Sequence, residues 1–342
     1  MVRLAGRGEG AWNYEHEGVP VQVCPREALQ PLLLSSGHSS IAVHFLDMET
    51  WRFLAPFADR MRIVVWVHGS DLQPWTRRPA HYITSDEMIA AKSASEKRLG
   101  FWRELLKSPP SGLHLVFVSR TFAEQSWEDL GFRLPEGRWS VAPNPIDTEL
   151  FGYIRKDPEL RYHILSIRPH YSPIYANDLV AKTIIGLSTS SVFSKMRFTL
   201  VGDGPLWEET FGCLRSFGNV KLIRGFVSQS RIAMLHSKHG IFLIPSRGDT
   251  HGVSRDEAMA SGLVPITTEV GAIPEFVDEA SGVICPPEDP ASLGGAIVDL
   301  LEDPEKFLRL SCGAAMRVRS QSAANKIIDI ETYLMDRSAT SS

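Results

Sequence analysis

The chain has 342 residues, more than one hydrophobic core usually serves, so two domains are the default. Its 43% apolar and 22% charged residues exclude a disordered polymer. A net charge of -4 makes sequence-independent nucleic-acid binding a poor match, and no nucleic-acid partner is expected. Cys24, Cys213, Cys285 and Cys312 lie far apart without a CxxC pair, which argues against a disulfide scaffold and against a cysteine-rich zinc site. No apolar run approaches the ~20 residues that a bilayer crossing needs. Residues 1–13 carry Arg3 and Arg7 without the apolar stretch of a signal peptide. A cytoplasmic protein with reduced thiols is the expectation.

In chain order, short apolar runs alternate with longer amphipathic stretches. Strands are predicted at 19–24, 40–46, 62–68, 113–119 and 139–142 in the first half. In the second half they are predicted at 163–167, 198–201, 220–223, 241–245, 264–267 and 283–285. These runs are nearly continuous in Val, Ile and Leu, as parallel strands read when helices cover both sheet faces. Helices are predicted at 85–106, 120–130, 176–187, 205–216, 227–236, 254–260, 290–301, 304–318 and 325–336, with fraying at 337–342. Asp289-Pro290 has the form of an N-cap followed by proline at the first helical position. The rigid Pro143-Asn144-Pro145 marks a boundary, giving domains at 1–145 and 146–325 and a C-terminal segment, 326–342, that returns to the first domain. Seven of the eight tryptophans precede that boundary, which fits either a distinct surface task or larger aromatic packing there. The first unit looks short: the run Val2–Leu4 is too brief to establish an opening strand, and Gly6, Gly8 and Gly10 read as the remnant of a glycine-rich turn.

The stretch from Ile241 to Pro274 carries the most chemistry. A strand leads into Ser246-Arg247-Gly248-Asp249-Thr250-His251-Gly252-Val253, then a helix with Asp256-Glu257-Ala258-Met259-Ala260. This order sets backbone N–H groups of Gly252, Val253 and Ser254 at a helix N-terminus beyond a parallel strand, where unsatisfied donors and the helix dipole attract phosphate. Glu257 lies near the same end, within reach of ribose hydroxyls, and Asp249 sits on the loop facing a sugar ring. A helix-stabilising acid and a turn former are the plain alternatives for these two residues.

The segment Asp249-x7-Glu257-Ala258-Met259-Ala260-Ser261-Gly262 resembles the retaining glycosyltransferases of family 4, with aspartate where the first acid is usually glutamate. Gly271-Ala272-Ile273-Pro274-Glu275, Val201-Gly202-Asp203-Gly204-Pro205, Phe226 after Arg224-Gly225, and the Pro143-to-Phe151 linker are similar to further family segments. The resemblance runs from about Val141 to Val318 and is loose before that. It implies a GT-B fold, two Rossmann-like α/β domains facing each other across a cleft. Family members pair an arginine with a lysine five residues later against the donor diphosphate. Here Arg168 is present, but Pro173 occupies the lysine position, so His170, Arg77 or Arg78 become candidates for compensation.

What the resemblance implies is transfer of a sugar from a nucleotide diphosphate sugar to a hydroxyl of a glycan or lipid-linked acceptor, with retention and without a metal or other cofactor. Arg168 and the amides of Gly252, Val253 and Ser254 would meet the diphosphate, Glu257 the ribose and Asp249 the sugar hydroxyls. Gly204 and Phe226 belong to turns passing the nucleotide. In the first domain, His68 ends a strand and is the expected histidine beside the reacting sugar, with Asp71 as an acceptor contact, His44 as a second candidate and Arg120 opening a helix toward the cleft. The alternative reading is a weakly active or inactive two-domain module that binds within a polysaccharide assembly system. Trp75, Arg77, Arg78, Lys92, Lys97 and Arg98 have the composition of an edge for peripheral contact with the inner face of a membrane, although a solvated helix face is the commoner account.

Overall fold

The computed structural model describes residues 1–6, 9–16 and 18–336. Gly8, within the expected glycine-rich turn, and residues 337–342, expected to fray, lie outside them. The chain opens with a small sheet of β1 (Val2–Leu4), β2 (Trp12–His16) and β3 (Val19–Cys24), in the order β1-β3-β2. Then come α1 (Leu29–Ser36), β4 (Ser40–His44), α2 (Met48–Leu54), β5 (Arg62–Val67), α3 (Ser85–Lys107), β6 (Leu113–Phe117), α4 (Arg120–Leu130) and β7 (Trp139–Val141). Strands β4 to β7 form a parallel sheet in chain order. Every residue of β5 and β6 is buried, which explains their unbroken apolar sequences. Trp66, Trp102 and Trp127 are buried in the cores of this half, so aromatic packing accounts for much of its tryptophan excess.

Two helices of the first half, and the single turn of helix at Ile273–Phe276 in the second, were not predicted from sequence. Leu29–Ser36 is brief and carries Pro31 near its start, which blurs the helical pattern. Met48–Leu54 starts from Asp47, whose side chain accepts the Thr50 N–H at 2.7 Å. The strand predicted at 40–46 stops at His44, because Phe45 turns into a left-handed conformation with φ of 57°.

The first domain holds two sheets instead of one. A cavity of about 1380 Å³ separates them, lined by every residue of β1 and of β4, so it faces strand edges and not a sheet face. It lies away from the interdomain cleft, which it approaches only at His44 and Phe45.

The second half contains β8 (His163–Ile167), α5 (Asn177–Leu187), β9 (Arg197–Gly202), α6 (Trp207–Phe211), β10 (Val220–Arg224), α7 (Gln229–Ser237), β11 (Ile241–Leu243) and α8 (Val253–Ala260). It continues with β12 (Val264–Thr268), α9 (Ile273–Phe276), β13 (Val283–Cys285), α10 (Pro290–Glu302), α11 (Pro304–Gln321) and α12 (Ala324–Met335). Its six parallel strands are ordered β10-β9-β8-β11-β12-β13. The chain reverses its direction of sheet building between β8 and β11, and ligands of open α/β sheets bind outside the strand ends at such a point. Arg168 directly follows β8, and the Asp249 loop follows β11. The predicted helix at 205–216 is α6 followed by a 3-10 turn over Gly212–Ser216.

The chain crosses between the halves twice. Ile146 pairs with Ala323 beside both crossings, and α12 then packs against β4 and β5 of the first domain. Leu334 is buried there with Val64, Trp66, Val116 and Ala142.

Candidate active site in the interdomain cleft

The C-terminal ends of β4, β5 and β6 face those of the second sheet, and four side-chain contacts close the gap. Thr250 Oγ1 donates to the His68 carbonyl at 2.8 Å. Glu275 accepts from the Arg120 and Thr121 N–H groups at 2.9 Å each, so a second-domain carboxylate caps α4 of the first domain. Asn144 Nδ2 lies 3.1 Å from His251 Nδ1, and Ser172 Oγ lies 3.2 Å from His81 Nδ1. Between these contacts is a cavity of about 600 Å³, bordered by His68, Gln73, Arg78, Tyr175, Gly248 and Asp249 among others. That size suits a small polar ligand.

His68 caps β5 inside this cavity. Its Nε2 lies 2.8 Å from His44 Nδ1, and its ring stacks on Phe45 with centroids 4.6 Å apart. Burial, and after it His44 and His251, hold the His68 pKa down at about 4, so the ring is neutral near pH 7. His44 is lowered as well, by burial. One ring of the pair donates and the other accepts. Asp71, expected to contact an acceptor, turns both oxygens to backbone instead. It accepts from His68 N at 3.0 Å and Gly69 N at 2.8 Å and is 8% exposed, so it fixes the turn that aims His68.

Across the cleft, Asp249 Oδ1 accepts the His251 N–H at 3.0 Å, and its backbone packs so close to Gly271 that a Cβ there would lie 2.1 Å from the Asp249 carbonyl. Gly252 is the N-cap of α8 with φ of 97°, and a Cβ on it would meet Arg255 at 2.7 Å and the Asp249 carboxylate at 3.1 Å. The first intrahelical donor is Arg255 N, so the Val253 and Ser254 N–H groups have no partner within the helix. Glu257, one turn further on, is half-buried. Burial, with Asp256 beside it, pushes its carboxyl up to about 7. Asp256 itself lies between Arg255 Nη2 at 2.7 Å and His251 Nε2 at 3.2 Å. Burial would raise its carboxyl, but those neighbours outweigh burial and hold it low.

Arg168 is 9% exposed, with its guanidinium 5.5 Å above the Tyr175 ring. It makes no ion pair and no side-chain hydrogen bond among the described residues, and its buried Nε has no partner. Burial lowers its pKa, and Asp249 is the principal anion in its field. Such a buried, unpaired cation is costly unless an anion joins it.

Of the compensating cations, His170 is corrected. It is fully buried against Trp207 and Phe211, bonds Thr210 through Nδ1 at 2.8 Å and is held neutral by burial, with a pKa of about 4. Arg77 lines the cavity but is bound to Glu128 and Asp129. Gly204 serves the backbone: with φ of 146°, it passes where a Cβ would sit 2.4 Å from the His170 carbonyl carbon. Phe226 is 74% exposed and nearly coplanar with Tyr171 at 6.4 Å. Of the residues singled out in sequence as site candidates for catalysis or cofactor binding, His68 and Asp249 line the cavity directly. Gly204, Phe226, Arg168, Gly252 to Ser254 and Glu257 are not among the residues that line it. Thr250, Tyr175 and the capping role of Glu275 were not read from sequence, because each works through a contact with a distant segment. Among the described residues, no group of three or more His, Cys, Asp or Glu side chains is placed to hold a metal ion, and no helix is long and apolar enough to cross a membrane.

Residues 169–303 match the family model described as Glycosyl transferases group 1. The chain is 33% identical over 290 residues to a D-inositol 3-phosphate glycosyltransferase of Streptomyces bingchenggensis, covering 82% of this chain and 60% of that one. It is 28% identical over 142 residues to an N-acetyl-alpha-D-glucosaminyl L-malate synthase of Bacillus anthracis, covering 41% and 37%. Among solved structures, sucrose-phosphate synthase from Thermosynechococcus elongatus superposes with a TM-score of 0.70 at 16% identity, covering 94% of this chain and 84% of that one. The chain spans less than two thirds of the length of these curated relatives. With its two Rossmann-like domains across a cleft, the chain has the GT-B fold and is related to the group 1 glycosyltransferases.

Proposed function

We propose that this chain transfers a sugar from a nucleotide diphosphate sugar to a hydroxyl of a glycan or lipid-linked acceptor, with retention at the anomeric carbon. The observation that carries the reading is Arg168, a buried guanidinium that makes no ion pair or side-chain hydrogen bond among the described residues, beside the Asp249 loop and the switch point of the second sheet. A diphosphate held there supplies the missing anion, and the Val253 and Ser254 amides add donors at the start of α8. Glu257 takes the ribose hydroxyls, Asp249 the donor sugar hydroxyls, and Phe226 with Tyr171 flanks the base. Neutral His68 presents a hydrogen bond to the reacting sugar from the acceptor side. The bond from the anomeric carbon to the diphosphate breaks while the acceptor oxygen joins the same face, its proton passing to the departing phosphate oxygen. Exposed Ile83 and Ile89, near Lys92 at the start of α3, support an acceptor presented from a lipid surface.

Calorimetry with ADP, GDP, UDP and their sugars tests the donor pocket. One nucleotide should bind, and Arg168→Ala should weaken it by tenfold or more. Failure of every nucleotide to bind would remove the reading. NMR of the product would then show the anomeric configuration. Binding without turnover would favour the second reading, a binding module of an assembly system, for which Pro173 in place of a lysine is the motive.

A further inference from the structure

We infer that Arg78 of the first domain supplies a cation to the donor diphosphate from across the cleft, an inference that rests on the donor-site reading above. Three arginines line the cavity, Arg77, Arg78 and Arg247. Arg77 is bound to Glu128 at 2.7 Å and Asp129 at 3.1 Å. Arg247 is bound to Asp178 at 2.7 Å and Glu288 at 2.6 Å. Arg78 differs from both: it is half-buried and makes no ion pair and no side-chain hydrogen bond among the described residues. Its neighbours include the cation Arg98, and no carboxylate forms an ion pair with it among the described residues. Its field adds to burial in lowering the pKa values of His81 and Arg98. A half-buried positive charge that lines a cavity and makes no ion pair among the described residues attracts an anion from solution.

Its place in the fold says which anion. Arg78 directly precedes the short turn Pro79–His81, which packs against the turn Pro173–Tyr175 of the second domain. His81 bonds Ser172 across that junction, and Tyr175 lies beneath the Arg168 guanidinium. Two arginines that make no ion pair among the described residues, one from each domain, therefore flank the same junction. A diphosphate carries enough charge for both, and its arrival would draw the domains together. Arg78 thus takes a share of the negative charge that grows on the diphosphate as the sugar leaves.

The test titrates the wild type, Arg78→Ala, Arg78→Lys and Arg168→Ala with ADP, GDP and UDP, and with the matching nucleosides. Expected is a loss of tenfold or more in diphosphate affinity for Arg78→Ala, no change for the nucleoside, partial recovery in Arg78→Lys, and a shallower salt dependence than the wild type. An unchanged melting temperature shows that the fold is intact. Wild-type diphosphate affinity in Arg78→Ala would overturn the inference. So would a defect confined to transfer onto a phosphorylated acceptor, which would assign Arg78 to the acceptor. If the wild type binds no nucleoside diphosphate, the donor-site reading itself fails, which is a distinct result.

Discussion

Glu257 on α8 of the second domain and His68 at the end of β5 of the first are both moved toward neutrality, by burial above all. The Glu257 carboxyl, pushed up to about 7, is half protonated near neutral pH. If it accepts ribose hydroxyls as a carboxylate, nucleotide affinity should fall as pH drops from 8 to 6, and Glu257→Gln should flatten that profile. Binding independent of pH in the wild type would argue against the role. The sign for folding is opposite: a raised carboxyl favours the protonated fold, so stability falls as pH rises from about 4.5 toward 7. His68 runs the other way. Its depressed pKa makes the neutral ring the folded form, so its contribution is full above the unfolded value of about 6.5 and is lost as pH falls toward 4. Its NMR ring shifts should accordingly show no titration between pH 5.5 and 8. The motif made Glu257 and Asp249 legible in the sequence. The neutrality of His68 was not, because it follows from burial in the cleft and, after that, from His44 and His251 on distant segments. Asp71 misled for a related reason: a carboxylate beside a strand-end histidine reads as a ligand contact, yet two backbone amides already hold it.

At the scale of elements, the strand ends do the positioning. The end of β9 crosses the loop after β8 so closely that a Cβ on Gly202 would fall 1.9 Å from the Arg168 carbonyl. Gly202→Ala must push the Arg168 loop aside. We expect it to lose nucleotide binding and to destabilise the domain by about 1–3 kcal/mol, in the range of overpacking, as measured by urea unfolding. The strands of the second sheet were legible because buried parallel strands are continuous apolar runs. The opening of the first domain was not, since β1 and β2 are short, mostly exposed and paired only with β3. The outer edge of β4 faces the large cavity and not another strand. Backbone amides on that edge should therefore exchange with solvent faster than any amide of β5, which is paired on both sides. Uniformly slow exchange across β4 would mean that the two sheets close up in solution.

At the scale of the molecule, the cleft is held by a few polar contacts and one apolar anchor, which divides closure from integrity. The anchor is α12, whose Leu334 fills the pocket formed by Val64, Trp66, Val116 and Ala142, while its carbonyl accepts from the Arg62 guanidinium. Leu334→Ala should cost about 2–5 kcal/mol, as for other buried leucines, and loosen the return of the chain to the first domain. Closure depends instead on Glu275, which joins the domains by accepting three hydrogen bonds from Arg120 and Thr121 at the start of α4. Removing a charged acceptor from such a cap weakens the closed arrangement by about 2 kcal/mol, roughly a thirtyfold shift toward open forms. Among the described residues the Glu275 side chain makes no other hydrogen bond or ion pair, and its links to Arg317 and Gln321 run through its carbonyl. Glu275→Ala should therefore leave the melting temperature nearly unchanged while enlarging the radius of gyration in small-angle scattering. If Arg78 and Arg168 meet a diphosphate together, saturating nucleotide should restore the compact form in this variant but not in Glu275→Ala combined with Arg78→Ala. A Glu275→Ala protein as compact as the wild type without nucleotide would show that the cap does not govern closure, leaving Thr250 and His251 as the contacts that do.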